Sequence, residues 1–308
     1  MNLVEHKLAS TKASDIANFL NADLIGDDME INSVSSIFSP IKNSLVFSVK
    51  PFNLDKNSSL LVLCKTDAYD KSNKSLFSSY ILCPNPRLAF AKVMKEFFII
   101  DHPPFIHDTA IISDSINIHP SVSIGANCFI GPGVHIGEGT IIKNNVIISE
   151  NVHIGNFCYI KSGAVIGEEG FGFDFEEDKS PIRIPHIGSV VIGHHVEIGS
   201  NTVVARGTIN NTIIGDKVKI NDLAFIAHNV IVKNKSIICA CADISGSVEI
   251  GENVWVGPNS SIIDKIKIGS GSTIGIGTTA TSDVNPAQKI MGISGLPLRK
   301  LIKFLKMI

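Results

Sequence analysis

The chain has 308 residues, with 27 Lys and Arg against 29 Asp and Glu and a net charge of -2. That length accommodates two domains, and a near-neutral balance without a basic stripe excludes a nucleic-acid-binding surface. Met1 to Ser10 contains charges and no long apolar run, so neither a secretory signal nor a membrane span is expected there, and the cytoplasm is the expected compartment. The cysteines Cys64, Cys83, Cys128, Cys158, Cys239 and Cys241 lack paired metal-ligand spacing and several stand in apolar strand contexts. They read as buried hydrophobes, and no metal or cofactor is expected.

Residues 1–105 read as a small α/β domain. Lys12 to Leu20 suggests a helix, and strand-like runs follow at Ile31–Ile37, Ser44–Lys50, Ser59–Lys65 and Ser78–Cys83. Asn85-Pro86 opens a second helix, with Asn85 as its cap, Pro86 at its first position and Leu88, Ala91, Val93, Met94, Phe97 and Phe98 as apolar packing surface. Asp101-His102-Pro103-Pro104 reads as a stiff linker, because the prolines cannot continue a helix.

From Ile112 to Ile166 an isoleucine falls at every sixth residue, and the position four further on is mostly small or β-branched, as at Val122, Cys128, Val134 and Thr140. A helix has no such period, so each hexapeptide reads as a short strand plus a turn. Units this short bury an apolar face only by stacking, which predicts a solenoid. The spacing resumes at Ile192, Ile198 and Val204, slips near Asn210, and continues from Ile214 to Ile274. This pattern resembles the hexapeptide-repeat left-handed parallel β-helix, in which three hexapeptides form one triangular coil and residues eighteen apart stack. Residues 106–288 then form the helix, interrupted by an insertion at 167–188, with about nine coils at ~4.8 Å per layer. Residues 289–308 form a tail in which Leu298, Leu301, Ile302 and Leu305 share one helical face among four cations.

Aliphatic side chains fill such an interior, so chemistry belongs to turns, loops and clefts. His228, in Ala224-Phe225-Ile226-Ala227-His228-Asn229, follows the inward Ile226 by two places and stands at a corner of the prism. Gly246 lies eighteen residues on, at the same corner of the next coil. A general base beside an exposed backbone N–H is the minimum equipment for acyl transfer, the base taking a proton from an attacking amine while the N–H stabilises the oxyanion. His119, His135, His153, His194 and His195 read as solvated turn residues.

Gly170-Phe171-Gly172-Phe173, Ile184-Pro185-His186-Ile187-Gly188, Arg206-Gly207, Thr212-Ile213-Ile214-Gly215 and Ile226-Ala227-His228-Asn229, in this order, resemble the UDP-3-O-acylglucosamine N-acyltransferases of lipid A synthesis. Leu45-Val46-Phe47-Ser48 and Asn85-Pro86-Arg87-Leu88-Ala89-Phe90 resemble that family's uridine-binding domain and the helix after it. The resemblance implies His228 as general base and the backbone of Gly246 as oxyanion donor. It also implies Phe47 as a ring stacked on uracil, with Phe52 one place from a second such aromatic. Gly170 and Phe171 would contact substrate on a loop that helps form a cleft between subunits of a homotrimer. The implied substrates are a UDP-linked amino sugar and a thioester of acyl carrier protein or coenzyme A, handled close to the membrane surface.

Departures accompany the resemblance. Ala205 replaces the family's Asp before Arg-Gly, Asn221-Asp222 replaces Asp-Asn, and Lys265 takes the place of a second histidine, where it could meet an anionic phosphate as a point charge. After Ser294-Gly295-Leu296-Pro297-Leu298 fewer residues remain than in the family's helical tail, which helps receive the acyl carrier. Two further readings stay open at this stage: a short-acyl or acetyl transfer from coenzyme A onto a nucleotide-linked amino sugar of surface polysaccharide, and a non-catalytic sugar-nucleotide binding or scaffold protein.

Overall fold

The eighteen-residue spacing becomes a hydrogen-bonded register. In a computed structural model, which describes residues 10–99 and 103–292, Ile112 lies over Ile130, then Ile148, Ile166, Val204, Ile226, Ile244 and Ile262 in one parallel ladder. Three such faces make a left-handed parallel β-helix. The Phe129 face has nine strands from Ile111–Ile112 to Thr279–Ala280, and the Ile141 face nine from Ser123–Ile124 to Lys289–Ile290. The His135 face has seven, from His135–Ile136 to Lys267–Ile268. Most strands are two residues long, with the first side chain outward and the second buried, as in Phe129–Ile130 and Phe225–Ile226.

The isoleucines and the small residues four places after them form one continuous core. Buried hydroxyls within it are fully satisfied: the Thr140 hydroxyl donates to the Gly155 carbonyl (2.9 Å) and accepts from the Cys158 N–H (3.1 Å), and Ser236 repeats the pattern with Gly251 and Val254. The ladder is stretched twice. Ile154 pairs with Ile192 across the 167–188 insertion, and Val204 pairs with Ile226 across four extra residues near Asn210.

The chain separates into two compact units, Met1–His102 and Pro103–Ile308. The first carries a five-stranded sheet in the order Leu24–Ile25, Ser79–Leu82, Leu60–Cys64, Ser44–Ser48, Ser33–Val34, parallel except at Leu24–Ile25. Helices α1 (Ala13–Leu20) and α3 (Pro86–Val93) pack Ile16, Ala17, Ala89 and Val93 against Leu45, Leu61, Leu63 and Ile81. Val46, Val62, Cys64 and Tyr80 supply a second cluster. Asn85 caps α3 as expected, its side-chain oxygen accepting from the Leu88 N–H at 3.1 Å. The Cys64 thiol, buried in the central strand, is pushed up to about 12.

Several expectations are corrected. The run Ile31–Ile37 is no single strand: Glu30–Ile31 and Ser33–Val34 pair with different partners, because the Asn32 N–H is taken by the Asn43 carbonyl. Helix α2 (Thr66–Asp70) and the strand Leu24–Ile25 are additional. His135 and His153 are outward strand residues, not turn residues. Cys241 is exposed and Cys83 half-buried, while the other four cysteines are buried. The tail helix expected around Leu298–Leu305 lies outside the described residues. No helix among the described residues is long and apolar enough to cross a membrane.

Ile148 is fully buried and sandwiched between Ile130 and Ile166. Ile148→Ala should therefore cost about 2–5 kcal/mol, since neighbouring coils cannot collapse into the void. Denaturant unfolding of the two proteins side by side measures this, and a loss below that range would show a core able to repack.

Candidate active site

Both interruptions of the ladder emerge at the corner that follows the Phe129 face, where Arg206, His228, Gly246 and Asp264 stack coil over coil. Backbone bonds fix this column: Ala227 N–H donates to the Ile244 carbonyl (3.0 Å), Ser247 N–H to the His228 carbonyl (2.9 Å) and Lys265 N–H to the Gly246 carbonyl (3.0 Å). Asn229, Ser247 and Lys265 turn the corner in the left-handed region, at φ 62, 61 and 62°. His228 is half-buried.

The side chain of Asn229 decides the tautomer of His228. Its amide nitrogen donates to the Asn210 carbonyl (2.9 Å), and its amide oxygen accepts from the N–H and the hydroxyl of Thr208 (3.1 and 3.0 Å). With the amide orientation fixed by backbone partners, that oxygen can only accept from His228 Nδ1, 3.1 Å away. Nδ1 therefore carries a proton, and in the neutral tautomer Nε2 is the nitrogen left with a lone pair. Nε2 faces Gly246, where a Cβ built on the glycine would lie 2.8 Å from Nε2 and 2.7 Å from Cε1. Any side chain there would displace the ring. The Gly246 N–H has no acceptor among the described residues, as an oxyanion donor requires.

The 167–188 insertion folds onto the opposite side of His228. A Cβ on Gly170 would lie 3.0 Å from His228 Cβ and 3.0 Å from His186 Nε2, so the bare glycine is what allows the loop to touch both rings. The His186 and His228 rings meet edge to face with centroids 5.2 Å apart. Beyond Gly172 the strands Phe173–Phe175 and Pro181–Arg183 form an antiparallel hairpin, and the Arg183 guanidinium sits 5.0 Å over the Phe173 ring. Phe171, between the two glycines at the base of that hairpin, is 84% exposed. The loop returns by Ile187 and Gly188, whose N–H groups donate to the carbonyls of Thr208 and Gly207 (2.8 and 3.0 Å), so the insertion and the four-residue bulge lock together beside His228.

Arg206, only 8% exposed, anchors the neck of the loop. Its Nε donates to the Gly167 carbonyl (2.5 Å), its Nη1 to Glu150 Oε1 (2.6 Å) and its backbone N–H to the Glu168 carbonyl (2.9 Å). That hydrogen bond holds the Glu150 carboxyl below its ordinary value. A buried guanidinium with this many partners is stable, and removing one strands the rest.

The departures at 205 and 221 bear differently on this site than the sequence suggested. Ala205 is buried in the wall below Ala227, and Asn221-Asp222 turn a different corner, where Asp222 pairs with Lys161 at 2.5 Å. Asn229 is what orients the histidine. Lys265 lies one coil beyond Gly246 with its side chain 79% exposed, 3.2 Å from Asp264. On the far side of Asn229 a recess of 570 Å³ is lined by Ile209, Asn210, Asn211, Ile213 and Ile231.

In the front unit, Phe47 is half-buried with its ring 4.8 Å from that of Phe90. Phe52 is 8% exposed, its ring stacked on Tyr80 at 6.4 Å, which gives it to the core because its face is already covered. At the carboxyl ends of the parallel strands Leu60–Cys64 and Ser79–Leu82 a recess of 550 Å³ is lined by Lys65, Thr66, Asp67, Leu82, Cys83 and Pro84, the edge where open parallel sheets receive ligands.

The Arg206–Glu150 contact makes the loop acid-sensitive. A carboxyl lowered from 4.5 in the folded state stabilises fully above that value and loses its contribution as pH falls through the lowered one. Hydrogen exchange at the Gly170–Gly172 amides, corrected for intrinsic pH dependence, should therefore accelerate on the acid side. Glu150→Gln should show fast exchange already at neutral pH, and a flat wild-type profile would remove Glu150 from the anchor.

The repeats match the family model described as bacterial transferase hexapeptide (six repeats) over residues 133–168 and 247–279. Over 135 residues the chain is 42% identical to UDP-3-O-acylglucosamine N-acyltransferase of Bordetella avium (strain 197N), covering 43% of this chain and 37% of that protein. The chain thus spans less than half the length of that curated relative. Two solved structures share the fold with TM-scores of 0.56, each over 65% of this chain and 77% of the other. They are LpxA from Acinetobacter baumannii, at 30% identity, and UDP-N-acetylglucosamine O-acyltransferase from Moraxella catarrhalis RH4, at 27%. Repeats, relatives and fold together make the chain similar to hexapeptide-repeat acyltransferases over part of its length.

Proposed function

We propose that the protein transfers an acyl group from a thioester carrier to the amine of a UDP-linked amino sugar, as the name of its Bordetella relative describes for that protein. The observation that carries the reading is the placement of His228, whose Nδ1 donates to Asn229 and whose Nε2 lies against Gly246 with its free N–H. His228 Nε2 removes a proton from the amine as its nitrogen attacks the thioester carbonyl. The Gly246 N–H stabilises the oxyanion of the tetrahedral intermediate. Collapse expels the thiolate, which takes up the proton from His228, leaving an amide and a free carrier thiol.

The recess beside Asn229, where Ile209, Ile213 and Ile231 alternate with asparagines, offers apolar surface on which an acyl chain could rest, and either acyl carrier protein or coenzyme A could supply the thioester. Phe47 stands near the carboxyl edge of the front sheet, in keeping with a ring for the uracil face. A homotrimer with the cleft between subunits, a cytoplasmic site and work close to the membrane surface complete the proposal.

The reading is tested by incubating purified protein with paired acceptors and donors and following amide formation by mass spectrometry. His228→Ala should lower turnover by at least ~100-fold with thermal stability retained, the usual contribution of a general base. Gly246→Ala should do comparable damage by pushing the imidazole aside. Near-normal turnover in His228→Ala would dismiss the mechanism.

Phe47→Ala should weaken UDP binding by about 1–3 kcal/mol if its ring stacks on the base. Calorimetric titration with UDP measures this, and unchanged affinity would assign Phe47 to packing against Phe90.

A further inference from the structure

His186 is the group in this corner that the mechanism above leaves unused. It is 3% exposed. Its Nδ1 lies 2.9 Å from the Ile184 carbonyl, which can only accept, so Nδ1 carries a proton and Nε2 is the acceptor of that tautomer. That Nε2 is buried and has no hydrogen-bond partner among the described residues. An orphaned buried acceptor has given up its hydrogen bonds to water without replacement, and that loss demands an explanation wherever the group could have been replaced by an apolar one.

Its position supplies one. Nε2 lies 3.0 Å from the point where Gly170 would carry a Cβ, and that same point is 3.0 and 3.1 Å from Cβ and Cδ2 of His228. Gly172, the next small residue, would bring a Cβ within 2.8 Å of His186 Cε1. Glycine at both places leaves the wall between the two imidazoles without side chains. His186 Nε2 therefore lies directly behind the Gly170–Gly172 arc, the nearest unpaired acceptor to the His228 ring on that side.

We propose that His186 is a second histidine of the substrate site, whose Nε2 accepts a hydrogen bond from a substrate hydroxyl beside the group that His228 deprotonates. The inference rests on the acyl-transfer reading for the identity of the substrate, and on geometry alone for the acceptor. Two sources carry such a hydroxyl: the sugar ring next to the amine, and a hydroxyl near the carbonyl of the acyl chain. Both present one O–H to a neutral imidazole and are distinguished by removing each in turn.

The test uses the full chain, two acceptors (a UDP-linked 2-amino sugar and its 3-deoxy analogue) and two carrier thioesters (3-hydroxyacyl and unsubstituted acyl of equal length). The wild type should favour the hydroxylated member of one pair by about ten-fold or more in kcat/KM, the discrimination expected of a buried acceptor left unpaired by the deoxy ligand. His186→Leu should bring that ratio to near one, while His186→Gln, which keeps an acceptor, should retain part of it. The pair whose ratio collapses identifies the source. Ratios untouched by His186→Leu, or an equal fall on all four substrates, would make the residue structural and overturn the proposal.

If the wild type transfers none of the donors, the acyl-transfer reading fails and binding decides the inference on its own. Nitrogen-15 spectra of the histidine rings, with His186 assigned through His186→Gln, should then show Nε2 as an unprotonated acceptor that shifts with one hydroxylated probe and not with its deoxy partner. A hydrogen-bonded Nε2 before any probe is added, as a fixed water would give, or no shift with any of the four, would overturn it.

Discussion

Parallel stacking at eighteen-residue intervals is the constraint on which everything else depends. Each two-residue strand has too little surface to be stable alone, so its isoleucine must sit over another, and the backbone bonds between coils leave no freedom in register. The same bonds that align Ile226 over Ile244 also set His228 over Gly246, through Ala227 on one side and Ser247 on the other. The geometry of the corner is inherited from the ladder rather than built by a loop, and rigid scaffolding of this kind would hold the proposed base and oxyanion donor within catalytic tolerance.

A solenoid tolerates inserted residues only where the chain already leaves the ladder, at corners. Both insertions use the His228 corner, and each stabilises the other: the loop end at Ile187-Gly188 bonds to the bulge at Gly207-Thr208, while the bulge's Thr208 and Asn210 orient Asn229. Arg206 is buried there because two different segments, at Glu150 and at Gly167-Glu168, converge on it. The orientation of the histidine is thus a property of the bulge, which explains why Ala205 and Asn221 do not matter to it.

The ladder was legible in the sequence because its period is covalent: six residues in the chain are one strand and one turn, whatever surrounds them. His228 and Gly246 were legible for the same reason, being one coil apart. His186 was not, although its segment was recognised, because its partner is 42 residues away by number and the contact depends on how a glycine-rich insertion folds back. The signal that could have exposed it was the pair Gly170 and Gly172, two residues with no turn to make at positive φ, which implies that something bulky lies against them. The exposure of Cys241 was not foreseen because it stands at a corner in the left-handed region, at φ 58°, and not in a strand, and the burial of Phe52 depends on Tyr80, which is distant in sequence.

The chain carries a second imidazole pair of similar separation, and the contrast isolates what makes a site. His135 and His153 stack at 4.4 Å on adjoining strands of the outer face, both exposed. Partial burial, then the neighbouring His135 and His194, holds the His153 ring below its ordinary proton affinity. Nothing orders the tautomers of that pair: no amide fixes a ring nitrogen, and strand residues on either side spend their backbone N–H groups in the ladder. At the corner the ladder relaxes, so an N–H at Gly246 is free and two glycines let a loop close over the rings. Titration alone would not separate the two pairs. What separates them is the supply of unspent backbone donors and side-chain-free walls, which a β-helix provides only at its corners.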